Sequence, residues 1–214
     1  MADLLEYQAL CWEIASGKDV EENVFRLLEC LNVVIKGHFL LSSGLHSDTY
    51  VQCAKLFTYP DVAAIICNAL YGKLIKDFSN AKIDFVVAPA LGAMLCGYEL
   101  ARASGAHNIF CERNAQDVFE LRRGFYIPEN SVVVIVEDVV TSGKSVQEVL
   151  CCLSDYKCNI IAICSVINRS NGNPFNYPLC SLINMDLKTY DANNLPEHLI
   201  SMPLHRPGSN FNKT

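Results

Sequence analysis

A doubly wound, mainly parallel α/β sheet with a small N-terminal hood or lid subregion is the fold class this chain predicts. Three observations carry it. From residue 82 onward, apolar runs of strand length alternate with helical stretches, as in βαβ units. At 214 residues the chain is long enough for one large α/β core. A hydrophobic fraction of 51% with 19% charged residues excludes disorder.

Taken in order, residues 3–16 and 20–31 read as two short amphipathic helices without a chemical cluster, fit for a lid or a packing layer. Residues 37–44 and 49–53 read as strands on either side of a polar turn at 45–48. A helix over 61–78 follows, with Asp61 in its first turn behind Pro60. Next come a strand at 83–88, a helix at 93–104 and strands at 107–111 and 131–136. A helix at 146–156 and a buried strand at 159–167 complete the pattern. The polar stretch 112–130, between two of these strands, suits a mobile active-site lid. No motif stands out beyond residue 171. Residues 1–214 are expected to form one domain, with N-terminal helices and hood-like strands over 1–58, the α/β core over 59–190 and a C-terminal tail over 191–214.

Composition narrows the function. A formal charge of −6 gives no global attraction to nucleic acid or anionic membrane, so any phosphate site must be a local arrangement. The first residues lack the basic start and apolar run of a signal peptide, and the most apolar window, 83–103, is broken by Asp84, Pro89 and Glu99. A cytoplasmic protein without membrane spans is the expectation. The 11 cysteines include no CxxC pair and sit largely among apolar residues, as reduced, mostly buried thiols would.

One run carries the chemistry. Residues 132–136 are apolar and β-branched throughout, a strand buried on both faces. Glu137 and Asp138 then fall at its carboxyl end, where open α/β sheets bind ligands. Adjacent acids there are costly to desolvate and repel each other, which argues against a purely structural purpose. Thr141, Ser142, Gly143 and Ser145 offer hydroxyls and backbone N–H groups as a helix begins, an arrangement that favours a phosphate dianion. The carboxylates can accept hydrogen bonds from sugar hydroxyls. Gly143-Lys144-Ser145 also imitates the end of a nucleotide P-loop, but Asp138 occupies the position of the required earlier glycine.

The run Glu137, Asp138, Val139, Val140, Thr141, Ser142, Gly143, Lys144, Ser145 resembles the phosphoribosyl-pyrophosphate motif of the type I phosphoribosyltransferases. Ala90, Leu91 and Gly92, between a buried strand and a helix, resemble that family's pyrophosphate-binding loop. Arg113, Arg122 and Arg123 frame the polar lid, and guanidinium groups grip phosphate oxygens in pairs. Residues 37–47 with Tyr50 are similar to the amino-terminal signature of orotate phosphoribosyltransferases. Segments 121–125 and 167–170 are similar to one branch of them, so the resemblance spans about residues 37–170.

The resemblance implies transfer of a phosphoribosyl group to orotate, giving orotidine 5′-monophosphate and pyrophosphate in pyrimidine synthesis. It implies Glu137, Asp138, Arg113 and Arg123 as catalytic residues, and Thr141, Arg169, Tyr50 and Ser43 around orotate. It also implies Mg²⁺ held mainly by substrate rather than by direct protein ligands, and a homodimer. The chain departs from the family at Ser42 and Leu91, where lysines are common, and residues 114–119 contain no basic side chain. Two other functions stay open: a transferase for a purine or another base, and a non-catalytic sensor of phosphoribosyl pyrophosphate.

Overall fold

The computed structural model describes residues 4–41, 44–78 and 82–206. Helices α1 (Leu4–Ala15) and α2 (Val20–Cys30) open the chain. Strands β1 (Val34–Leu40) and β2 (His46–Val51) then pair antiparallel, with a register slip between Lys36 and Phe39. Both strands begin three residues before their expected starts. The polar residues taken for a turn are the reason, because they are satisfied inside the hood. His46 Nδ1 lies 2.6 Å from Nε2 of His38, and the Ser47 hydroxyl donates to the Thr49 and Lys188 carbonyls.

Past a short 3₁₀ turn at Cys53–Thr58, the core runs through α3 (Pro60–Phe78), β3 (Phe85–Pro89), α4 (Met94–Ser104), β4 (His107–Arg113) and β5 (Phe119–Leu121). It continues through β6 (Val132–Val140), α5 (Lys144–Leu153), β7 (Asn159–Asn168) and β8 (Leu179–Asn184). The sheet order is β5-β4-β3-β6-β7-β8, parallel except for the β4–β5 pair. Chain order reverses between β3 and β6, and open α/β sheets bind ligands in the crevice outside the carboxyl ends at such a reversal. Val134, Val136, Ala88 and Cys164 join α3 and α4 in one core layer, while Val133, Ile135, Val87 and Ile163 join α5 in the other. The sheet is therefore buried on both faces, as its unbroken apolar strands require.

Beyond shifts of a few residues at element ends, the main differences from the sequence pattern lie after β4 and around β6. β6 continues through Glu137 and Asp138 to Val140, because β7 accompanies it as far as Asn168. α5 starts two residues early, at Lys144. β8 adds an edge strand beyond β7, which is therefore not the last core strand. Glu112 and Arg113 extend β4, and the chain returns as β5 in a hairpin with the turn at Asn114–Asp117 rather than as an open loop. The hood sheet is completed from the other end of the chain: β9 (Thr189–Tyr190) pairs with β2 and, after α6 (Glu197–Ile200), β10 (Leu204–His205) pairs parallel with β1. No helix among the described residues is long and apolar enough to cross a membrane.

Candidate active site

Three loops and the hood meet at the carboxyl ends of β3, β6 and β7. The two acids stand side by side near the end of β6, close enough for their carboxyls to share a hydrogen bond. Glu137 lines a cavity of about 110 Å³ closed by residues 139–146. Asp138 lies toward the α4 side, with one carboxylate oxygen 4.0 Å from the position a Cβ on Gly92 would take, and its carbonyl 4.0 Å from the Cys53 thiol. The turn after β3 thus comes up against the acid, and a Cβ at residue 92 would make only ordinary contact there. Ala90, Leu91 and Gly92 form that turn; the Ala90 amide donates to the Cys111 carbonyl, the Ala90–Leu91 peptide is cis, and Leu91 is 82% exposed.

Burial dominates the electrostatics of the pair. It pushes Glu137 up to about 9, with the Asp138 charge adding to the effect. Asp138 is raised as well, again by burial. At neutral pH the pair therefore retains a proton, and its negative charge is less than the two carboxylates suggest.

The turn after β6 is built around Gly143. Its φ of +76° is in the left-handed region, and a Cβ there would fall 2.7 Å from the Phe175 ring and 3.1 Å from Pro174. Only glycine meets both conditions without strain. Val139 and Val140 hold the approach in the β6–β7 pairing. Thr141, Ser142 and Lys144 are exposed and Ser145 half-buried, while the Lys144 amide points to the Ser142 hydroxyl at 3.4 Å. The first amides of α5 have no helical acceptor and belong to residues that line the same cavity, an arrangement suited to an anion.

Arg169 follows β7, and its backbone amide donates to the Val140 carbonyl at 2.7 Å, next to Thr141. Its Nε is buried without a hydrogen-bond partner among the described residues, and burial lowers the guanidinium pKa. A buried, partnerless cationic donor is costly unless a ligand satisfies it. Burial raises the Tyr50 phenol, and Arg169 is near enough for its charge to oppose that rise. The Tyr50 ring packs at 5.5 Å on Phe39 and its hydroxyl donates to Gln52. Ser43 lies outside the described residues, as does Ser42.

The phosphoribosyl transferase domain family matches residues 61–184. The orotate phosphoribosyltransferase of Thermoanaerobacter sp. (strain X514) is 43% identical over 190 residues, covering 88% of this chain and 97% of that protein. This chain belongs to the orotate phosphoribosyltransferases. Among solved structures, the orotate phosphoribosyltransferase from Aeropyrum pernix matches with a TM-score of 0.62 at 19% identity, over 75% of this chain and 92% of that one. The UMP synthase of Leishmania donovani matches at 0.63 and 21% identity over 78% of this chain, which spans 36% of that longer protein. At such identities the two structures establish the fold.

The two arginines of the orotate phosphoribosyltransferase reading are engaged within the protein. Arg113 donates to Glu148 of α5 and to the Asp117 carbonyl, both at 2.6 Å, and lies over the Phe119 ring. Arg123, on the loop after β5, makes a two-pronged pair with Glu112 at 2.6 and 2.8 Å. Phe175, Pro174 and Gln52 are the site-building residues that the sequence reading passed over. The run Asn173-Pro174-Phe175 was a turn signal in plain view. Its packing against Gly143 was not.

Proposed function

We propose that this site transfers the phosphoribosyl group of phosphoribosyl pyrophosphate to orotate, releasing pyrophosphate, in pyrimidine synthesis. The observation that carries the reading is the buried Nε of Arg169, without a partner among the described residues, on a residue whose backbone is bonded to Val140 next to the Thr141–Ser145 cradle. A cradle for the 5-phosphate and a fixed cation awaiting an acidic base are the two recognitions the reaction needs. Thr141, Ser142, Gly143, Lys144 and Ser145 hold the 5-phosphate, while Glu137 and Asp138 take the ribose hydroxyls. Ala90, Leu91 and Gly92 face the pyrophosphate. Arg169 pairs with the orotate carboxylate, and Tyr50, Thr141 and Ser43 complete the base pocket.

Bond cleavage at the sugar carbon leaves cationic character there, and the single negative charge shared by the acid pair stabilises it. The orotate anion is already nucleophilic, so positioning and electrostatics supply most of the acceleration. Mg²⁺ brought by the substrate would offset charge on the leaving group, with Glu137 and Asp138 the acids nearest to receive it. The acid pair fits such a cation, since a nearby positive charge would favour the ionised carboxyls and offset the desolvation that raises both. Arg113 and Arg123 reach the pyrophosphate by exchanging Glu148 and Glu112 for it.

A homodimer and a cytoplasmic location belong to the same reading. The exposed apolar stripe Leu91, Leu95 and Tyr98 along the start of α4, at 82%, 55% and 56% exposure, suits a second copy beside the site. The test is to incubate purified protein with Mg²⁺, phosphoribosyl pyrophosphate and a base panel. Consumption of orotate alone is expected. Consumption of adenine or hypoxanthine instead, or of no base, would replace this reading by a purine transferase or a sensor.

A further inference from the structure

Two cysteines outside the site are poised for a bond. Cys111 lies on β4 with its thiol hydrogen-bonded to that of Cys152 on α5, the sulfurs 3.7 Å apart. Cys111 is fully buried, whereas Cys152 is half-buried and reachable from solvent. Each is joined to one anion-binding turn. Cys111 is in register with Pro89 and its carbonyl accepts the Ala90 amide, so it braces the Ala90–Gly92 turn. Cys152 sits on the helix whose first turn forms the Thr141–Ser145 cradle. Cys164 and Cys180 also face each other, across β7 and β8, but both are buried and sealed from oxidants.

We propose that Cys111 and Cys152 form a peroxide-oxidisable dithiol whose disulfide ties β4 to α5 and loosens the hold on phosphoribosyl pyrophosphate. The Cys152 sulfur attacks one peroxide oxygen, the O–O bond breaks, and hydroxide leaves as water, giving a sulfenic acid on Cys152. The Cys111 sulfur, losing its proton, then attacks the Cys152 sulfur, and the sulfenic hydroxyl leaves as a second water. Two thiols and one peroxide become one disulfide and two waters. The hydrogen bond from Cys111 favours the thiolate on Cys152, lowering its pKa against the opposing effect of burial. Cys151, its exposed neighbour, has no thiol partner and serves as the control.

Closure takes the sulfurs from 3.7 Å to about 2.0 Å, a shift of roughly 1.7 Å shared between strand and helix. Displacement of that size near a reacting site costs on the order of 10- to 100-fold. The kinetic half of the proposal rests on the function proposed above; the chemical half does not.

The test treats intact protein with hydrogen peroxide, maps disulfides by peptide mass spectrometry, and measures KM for phosphoribosyl pyrophosphate before and after dithiothreitol. A Cys111–Cys152 cross-link and a rise in KM of roughly tenfold or more, both reversed by dithiothreitol, are expected. Cys151→Ser should respond like the parent, and Cys152→Ser should lose both effects. Cross-linking elsewhere, or none in protein whose thermal midpoint is unchanged, overturns the proposal whether or not the chain consumes orotate. A cross-link that leaves KM unaltered overturns the regulatory half. Reversal in the unmutated protein keeps the test decisive if Cys152→Ser fails to fold.

Discussion

Replacing Arg169 by methionine should weaken orotate binding without weakening the fold, and the two effects have separate origins in the structure. Methionine keeps much of the aliphatic stem, so packing changes little. What is lost from the free protein is a buried Nε without a partner. Removing an unsatisfied buried donor relieves about 1–3 kcal/mol, part of which is returned through lost contacts of the half-buried side chain. The expected thermal midpoint is unchanged or higher by about 2–4 °C for each kcal/mol gained in a chain of this size. In the complex, a carboxylate loses its charge-paired partner. Such truncations cost about 2–5 kcal/mol, and partial exposure of the site favours a value near 3, or roughly 100-fold in affinity. Steady-state kinetics with each substrate varied should show KM for orotate rising about that much, with KM for phosphoribosyl pyrophosphate within threefold of the parent. A fall in thermal midpoint with KM for orotate unaltered would refute the reasoning, because Arg169 would then be a structural residue satisfied in solution.

Gly143→Ala combines a left-handed backbone at φ +76° with a methyl group 2.7 Å from Phe175. Calorimetry should register a loss of about 1–3 kcal/mol in stability together with weaker phosphate binding, and a fully active, equally stable variant would contradict the geometry. Glu137 is raised to about 9 in the folded chain against about 4.3 when unfolded. Between those values the folded state holds a proton that the unfolded state has lost, so this group's contribution to stability declines as pH climbs through the window. Glu137→Gln removes that decline, and urea midpoints should favour the variant progressively more from pH 5 to pH 9; a pH-independent difference would mean that Glu137 is not raised. Leu95→Asp places a charge in the middle of the exposed stripe on α4, and sedimentation velocity should shift from dimer to monomer. An unaltered dimer would locate the interface elsewhere.

The central strand, its acids and the turn after it were legible because each has a local cause: an unbroken apolar run, a hydroxyl-rich helix start and a glycine. Arg169 was legible through its neighbours in sequence, yet its most telling property is not local, since the unsatisfied Nε exists only once β7 and the hood surround it. The hood boundaries were misread for a related reason. His46 and Ser47 look like solvated turn residues until His38 and the Lys188 carbonyl arrive to satisfy them. β8 had a local signal in Leu179, Cys180, Leu182 and Ile183, but a short apolar run after an irregular stretch does not announce which edge it joins. The loop expected over the site is a hairpin because Arg113 and Arg123 find Glu148 and Glu112, partners far enough away in sequence to escape a pattern reading.

The β1–β10 pairing, His38 opposite Leu204, has a consequence for the order in which this chain acquires its parts. Parallel pairing across so long a separation closes late, because a large loop's entropy is lost before the contact repays it. The α/β core is assembled mainly from neighbouring segments and has no such wait. A folding chain should thus own its anion cradle before β1, the hood strand that pairs with the one carrying Tyr50, is locked in place by the chain's last described residues. Hydrogen exchange during refolding should protect β6 amides before those of β1, and a chain cut before residue 204 should retain phosphate while losing its choice of base.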